Sequence, residues 1–285
     1  MTIAPGKTYQ LSPRVRRITA PNGGRMTGPG TNTYLVGDGD ELAVIDPGPA
    51  IESHVEAILN ATDGRIRRVL VTHTHADHSP AAGPLVDATG AEVLGCPLRP
   101  SDGHQDESLH VNREISHGEI IEGGGYRLQA IHTPGHIGNH FCYLLAGDNM
   151  LFAGDHIMEG VSVVIVPPSG DLKDFLDSLT RLRNYSIDAI APGHGHLIED
   201  PVAEFDKLAR HRRYRENKVL EALEKLGEGS LDSLLPLAYD DVDPELHKVA
   251  RYSLWAHLLK LEREGRAVRT IEKHWAFGEE HWKPA

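Results

Sequence analysis

The stretch Val69-Leu70-Val71-Thr72-His73-Thr74-His75-Ala76-Asp77-His78 runs from an apolar strand candidate straight into three imidazoles and a carboxylate. Histidines two apart at the end of an extended strand point to one side and can converge on a cation. The turn after them can aim Asp77 and His78 at a second cation nearby. A solvated histidine-rich loop is the plain alternative. Against it stand three further Gly-punctuated loops, each following an apolar run: Thr133-Pro134-Gly135-His136, Ala153-Gly154-Asp155-His156 and Pro192-Gly193-His194-Gly195.

Around these loops, short strands alternate with helices. Residues 14–20, 31–37 and 42–46 are rich in Val, Ile, Thr and Tyr, are bounded by Gly, Pro and Asp, and read as adjacent antiparallel strands. Apolar Ile51, Val55, Ile58 and Leu59 mark an amphipathic helix over 51–60, leading into a strand over 68–72. A helix over 79–89 is expected next, with Ser79 as N-cap and Pro80 at its first position. Strands are expected over 92–95, 126–132, 141–145, 150–153 and 187–191, a helix over 172–182, and an irregular loop above the site over 97–114. The ligand-type residues thus fall at strand ends, where loops gather on one edge of a sheet sandwich.

At 285 residues the chain exceeds the usual single domain, predicting a large unit over 1–200 and a small one over 201–285. No apolar run approaches the roughly 20 residues of a membrane helix. The start has no secretory-signal pattern and only Cys96 and Cys142 occur, so a reducing, cytoplasmic setting is the expectation. The net charge of −12 is uneven: from Phe205 onward 15 Lys+Arg meet 15 Asp+Glu, leaving 14 against 26 before it. Such acidity suits divalent cations and makes a poor landing surface for polyanions.

The series His73-x-His75-x-Asp77-His78, His136, Asp155 and His194 resembles the five-motif pattern of the metallo-β-lactamase superfamily over about the first 200 residues. The resemblance implies an α/β (α+β) fold, an αββα sandwich with metals at one rim. It implies His73, His75 and His136 on one zinc, Asp77, His78 and His194 on a second, and Asp155 as the bridge. The Asp46-Pro47-Gly48 turn resembles the first motif, whose Asp supports the site without ligating. In the oxygen-reducing di-iron branch a Glu commonly stands where His75 stands here, so the resemblance favours two zinc ions, with iron or manganese as alternatives. The stretch Met26 to Val36 resembles the subgroup of the β-lactamase-like endoribonuclease and related hydrolases and thioesterases. There, Asn139-His140 matches a commonly Asp-His pair, which places His140 either near the substrate or as a hydrogen-bonded histidine at a strand start.

After Pro201 long amphipathic helices take over: 202–226, a short helix from Ser230 through Leu235, and a segment opened by Pro244 and ended by Gly265. A hairpin of 266–271 with 273–277 would complete a winged-helix-like appendage similar to the subgroup's. The run Lys207, Arg210, Arg212, Arg213, Arg215 and Lys218 reads as an RNA-binding face or as a solvated helix face, the latter favoured by the unit's neutrality. The expected function is a dinuclear zinc hydrolase whose metal-bridging hydroxide attacks an ester, thioester, lactone or lactam carbonyl of a small acyl substrate, with Asp77 orienting the nucleophile. The alternatives are a single-strand endoribonuclease and a metal-responsive DNA-binding sensor. A homo-oligomer is compatible with all three.

Overall fold

The computed structural model describes residues 3–97, 103–272 and 279–285. Its first sheet takes its strands in chain order: β1 (Thr8–Ser12), β2 (Val15–Thr19), β3 (Asn32–Val36), β4 (Leu42–Ile45), β5 (Ile66–Leu70), β6 (Glu92–Gly95) and β7 (Arg113–Glu114). Pairing is antiparallel up to β4 and parallel from β4 to β7. The parallel half needs crossovers, supplied by α1 (Glu52–Thr62) and α2 (Ala82–Thr89). The second sheet comprises β8 (Ile120–Gly123), β9 (Tyr126–His132), β10 (Phe141–Leu145), β11 (Met150–Gly154) and β12 (Ala189–Pro192), ordered β12-β11-β10-β9-β8. Helix α3 (Leu172–Leu182), capped by Asp171 on the Asp174 N–H, returns the chain to β12.

The two-residue period of the strands decides the layers. Ile45, Leu70 and Leu94 face Leu128, Phe141, Tyr143 and Phe152 between the sheets. Their neighbours Val44, Val69 and Val93 face outward onto Ile58 of α1 and Leu85 of α2. On the other side Cys142, Leu151 and Ile190 meet Leu179 and Leu182 of α3. Each fully buried aliphatic side chain contributes about 1.5–3 kcal/mol. The result is the expected αββα sandwich.

Helix α4 (Pro201–Leu226) serves both parts of the chain. Phe205 and Leu208 cover the second sheet, while Val219, Ala222 and Leu223 enter a separate core with α5 (Leu231–Ala238) and α6 (His247–Arg263). The boundary expected at 200/201 therefore precedes a helix that both units share. A small sheet, β13 (Gly229–Ser230), β15 (Glu279–Pro284) and β14 (Ala267–Glu272) in spatial order, closes this winged helix over buried Trp282. The wing strand expected over 273–277 lies outside the described residues, and the strand paired with β14 is β15. No helix among the described residues is long and apolar enough to cross a membrane.

Two local expectations are corrected. The helix expected from Ser79 starts at Ala82, because Ala82 N–H closes a turn on Ser79 O and the Ser79 hydroxyl donates to Asp106 Oδ2. The basic run on α4 is largely committed to internal partners. Arg212 donates to Val163 O, Arg215 to Ala238 O and Asp241, and Lys207 pairs with Glu204, leaving Arg210 and Arg213 as its exposed arginines.

Candidate metal centre

Strand β5 ends where Asp46 takes over the backbone. The Thr72 N–H donates to Asp46 Oδ1 at 2.7 Å and the Thr72 hydroxyl to Oδ2 at 2.8 Å. Asp46 sits in the left-handed region, at φ 49°, an uncommon place for a non-Gly residue. From this pinned turn, His73 and His75 project to one side. His73 Nε2 and His136 Nε2 lie 3.0 and 3.1 Å from His75 Nδ1. Two donors on one zinc, each about 2.0–2.1 Å from it, stand roughly 3–3.5 Å apart, so this triad has metal-site spacing.

Beside it lies a second group. His194 Nε2 is 3.3 Å from Asp77 Oδ2 and His78 Nε2 is 3.7 Å from the same oxygen. Asp155 joins the groups: its Oδ1 is 3.4 Å from both His78 Nε2 and His194 Nε2, and its Oδ2 is 3.9 Å from His136 Nε2. His78 Nε2 and Asp155 Oδ1 are buried and form no hydrogen bond among the described residues. Buried polar atoms left this way are costly unless something binds them.

Several of these imidazoles are held by the ring nitrogen facing away from the centre. His78 Nδ1 lies 2.9 Å from Asp46 Oδ2, His136 Nδ1 2.8 Å from Val164 O, and His194 Nδ1 3.2 Å from Gly30 O. His73 Nδ1 is 2.9 Å from the Thr72 hydroxyl. Such outer contacts fix orientation and tautomer and present the other nitrogen to a metal. The seven residues suit two divalent ions of the zinc, iron or manganese type, since imidazole and carboxylate accept all three.

Electrostatics divides the centre in two. Burial, aided by the neighbouring imidazoles His78 and His75, holds His73 well below the usual histidine range; burial takes His136 to about 4. Burial also opposes charge on His194, but Asp155 and Asp77 outweigh it and raise the group to about 9. Burial works against the Asp155 carboxylate too, yet His194 and His78 hold it well below its ordinary value.

The loops must come close for this to work, and glycine permits it. A Cβ on Gly154, whose φ is +47°, would stand 2.5 Å from Thr72 Oγ1 and 2.7 Å from His140 Nε2. A Cβ on Gly193 would stand 2.6 Å from Asp155 Oδ1. The stretch around Tyr34 acts as a clamp: Asn32 Nδ2 donates to Pro192 O and Gly195 O, and Tyr34 Oη to Pro192 O, tying the first sheet to the His194 loop. On the opposite flank, part of the expected loop over the site packs along the motif, with Asp106 N–H on Thr74 O and Ala76 N–H on His104 O. Residues 98–102 of that loop lie outside the described residues.

His140 packs beside His73, with ring centroids 5.2 Å apart. It is fully buried, bonded through Nδ1 to the Thr133 hydroxyl at 2.9 Å, and immediately precedes β10, as the second of its two sequence readings expects. His156 is equally buried and packs on the Phe175 ring. His196, by contrast, reaches a cleft of about 630 Å³ that opens beside His194. Its walls include Arg25, Met26 and Pro29 from the 20–30 loop, and Met158, Glu159 and Val161 from a second segment. The second segment carries no sequence signal of this role: Val161 is recognisable only because the fold leaves it 55% exposed.

Comparison with known proteins agrees with this geometry. Residues 26–194 match the metallo-beta-lactamase superfamily, and residues 230–275 match the beta-lactamase associated winged helix domain. A beta-lactamase-like protein 2 homolog of Drosophila melanogaster is 30% identical, with 93% of each chain covered. An atrochrysone carboxyl ACP thioesterase of Paecilomyces divaricatus is 29% identical, covering 93% of this chain and 84% of that one. The crystal structure of a beta-lactamase domain protein from Burkholderia ambifaria superposes with a TM-score of 0.81 at 20% identity, covering 100% of this chain and 95% of that one. With the fold, the rim of histidines and aspartates and the family match in agreement, the chain belongs to the metallo-beta-lactamase superfamily and is a hydrolase of that fold with a C-terminal winged helix.

Proposed function

We propose that the chain is a dinuclear zinc hydrolase that cleaves small acyl thioesters or esters. The observation that carries this reading is the pair of converging donor sets sharing Asp155, with His78 Nε2 and Asp155 Oδ1 buried and unbonded between them. His73, His75 and His136 would hold one ion, Asp77, His78 and His194 the other, and Asp155 both. When bound, the ions supply Lewis acidity and bring the pKa of water near neutrality.

The protein's own part is positioning. The Asp77 side chain is half-buried, with Oδ2 3.3 Å from His194 Nε2, where it can orient a water molecule and hold its proton. Met26, Pro29, Met158 and Val161 offer an apolar bed for an acyl group, with its carbonyl directed toward His194. No carboxylate, phosphate or nucleotide cradle is needed for such a substrate. The similar thioesterase supports acyl transfer to water as the reaction class.

The test is a thioester and ester panel run beside a labelled single-stranded RNA, with metal content measured on the same protein. Two zinc ions per chain and an Asp77→Asn rate lower by about 10²–10⁴ on a thioester are expected. Thioester turnover that survives both Asp77→Asn and chelation would overturn the assignment. RNA cleavage alone, lost in the variant, would replace it with a nuclease.

A further inference from the structure

The segment 158–166 separates two cavities. One side lines the cleft beside His194, and the other closes a pocket of about 290 Å³ against α4 and α6. The second pocket lies outside the metal centre. Val161, Val163, Leu246, Val249 and Ala250 give it apolar walls, while Arg212, Tyr239 and Ser253 supply polar ones.

Arg212 is the unusual member. It is 3% exposed, places Nη2 2.6 Å from Val163 O, and has Nη1 3.4 Å from Ser253 Oγ. Its guanidinium stands 5.2 Å over the Phe175 ring. Its Nε has no hydrogen-bond partner, and no carboxylate reaches it within ion-pair distance, among the described residues. The neighbouring Arg215 shows the ordinary solution, with Asp241 at 2.8 Å. Buried charges are normally paired, because desolvation is otherwise uncompensated. The Ser162 hydroxyl, in the same wall, also lacks a partner among the described residues.

We propose that this pocket binds a small carboxylate with a short aliphatic tail, its carboxylate on Arg212 and its tail among Val161, Leu246 and Val249. The volume is near the lower end for small-molecule sites, which suits a chain of a few carbons. The apolar walls disfavour inorganic anions, and the missing counter-charge disfavours neutral ligands. The site also bears on the metal centre: Val163 O receives Arg212 while Val164 O receives His136 Nδ1, so two consecutive peptides link pocket and ligand.

The experiment titrates methyl-labelled, metal-loaded full-length protein with hexanoate, and separately with 1-hexanol, by nuclear magnetic resonance. Saturable shifts of the Val163 and Val249 methyls by hexanoate are expected, with 1-hexanol at least about tenfold weaker for want of charge-assisted hydrogen bonds. Val249→Phe, which fills the pocket, should weaken hexanoate about tenfold. Leu246→Trp at the exposed lip serves if that variant does not fold. Asp77→Asn should bind hexanoate as the wild type does, which separates this pocket from a carboxylate held at the metal rim. Equal affinity for 1-hexanol, binding undiminished by pocket filling, shifts confined to Met26 and Met158, or no saturable shift would each overturn the proposal.

Discussion

At the rim of the sandwich, imidazoles and carboxylates turn their inner atoms toward one another with hydrogen bonds left unmade; along α4, charged side chains turn toward partners of opposite sign. His78 Nε2 and Asp155 Oδ1 illustrate the first arrangement. Glu216, which accepts from both Lys260 at 2.5 Å and Arg266 at 2.6 Å, illustrates the second. Both regions are dense in ionisable groups. What separates them is whether the inner polar atoms find hydrogen-bond partners, and a region that leaves such atoms unbonded has room for something from outside. By that measure Arg212 belongs with the rim, although it sits on α4.

The largest effect that tests this contrast is at the bridge. Asp155→Ala removes the carboxylate common to both donor sets, and turnover should fall by at least about 10²-fold with metal content reduced. In the metal-free protein the substitution also leaves His78 and His194 without the carboxylate that each faces at 3.4 Å, so a loss of thermal stability is expected there as well. A variant with full metal content and full turnover would place the centre elsewhere.

Glu216→Ala probes the other side. It leaves the buried Lys260 ammonium with Glu264 as its remaining carboxylate at 2.8 Å. A loss of about 3 kcal/mol in denaturant unfolding is expected, the usual consequence of breaking a buried ion pair from one side. The thioester rate of the still-folded fraction should be unaffected. If the rate falls and stability does not, the charges on α4 act on the substrate and the contrast is wrong.

Between these extremes lies Asp46, which touches no donor atom facing the centre but holds His78 Nδ1 and Thr72 together. Asp46→Ala should weaken metal binding about 10–100-fold, the usual cost of losing an outer hydrogen-bond partner of a metal-ligating histidine. Competition with a chelator measures it directly.

The sequence disclosed the two donor sets unevenly with their supports. The strand-end histidines are visible because a two-residue period and a following turn leave few other uses for His73, His75, Asp77 and His78. Asp46 is visible only through resemblance to a motif. The carbonyls of Val164 and Gly30, which orient His136 and His194, carry no side-chain signal at all. The same limit explains the basic run: Arg212 and Arg213 are adjacent in sequence, but helical rotation buries one against Val163 and leaves the other in solvent. Ser79 is not a cap for a similar reason, since Asp106, 27 residues away, takes its hydroxyl.

A pH experiment sharpens the contrast further. His257 on α6 is fully buried, with Nδ1 2.7 Å from Ser253 O, and burial beside Arg212 takes its pKa to about 3. The folded state therefore holds it neutral while the unfolded chain protonates it near 6.5. Its contribution is fully present above about pH 6.5 and is lost as pH falls toward 3, by at most about 1.4 kcal/mol per pH unit. His257→Gln should flatten that part of the stability profile relative to wild type, whose other histidines still titrate. An unchanged difference across the window would mean that water reaches the ring.

The smallest effect is expected where the basic run meets solvent. Arg213→Ala, alone or with Arg210→Ala, should shift stability by no more than about 0.5 kcal/mol, as surface substitutions usually do. The informative readout is RNA retention against salt. Each arginine that touches a phosphate adds roughly one to the slope of log affinity on log salt, so a pair in contact would lower that slope by about two when removed. An unchanged slope is expected, because the net charge of −12 repels a polyanion and most of the run is already engaged by Glu204, Asp240, Asp241 and backbone carbonyls. A drop of two would restore the basic face of α4 as a binding surface, and would show that two exposed arginines suffice where the remainder of the run is held by carboxylates and backbone carbonyls.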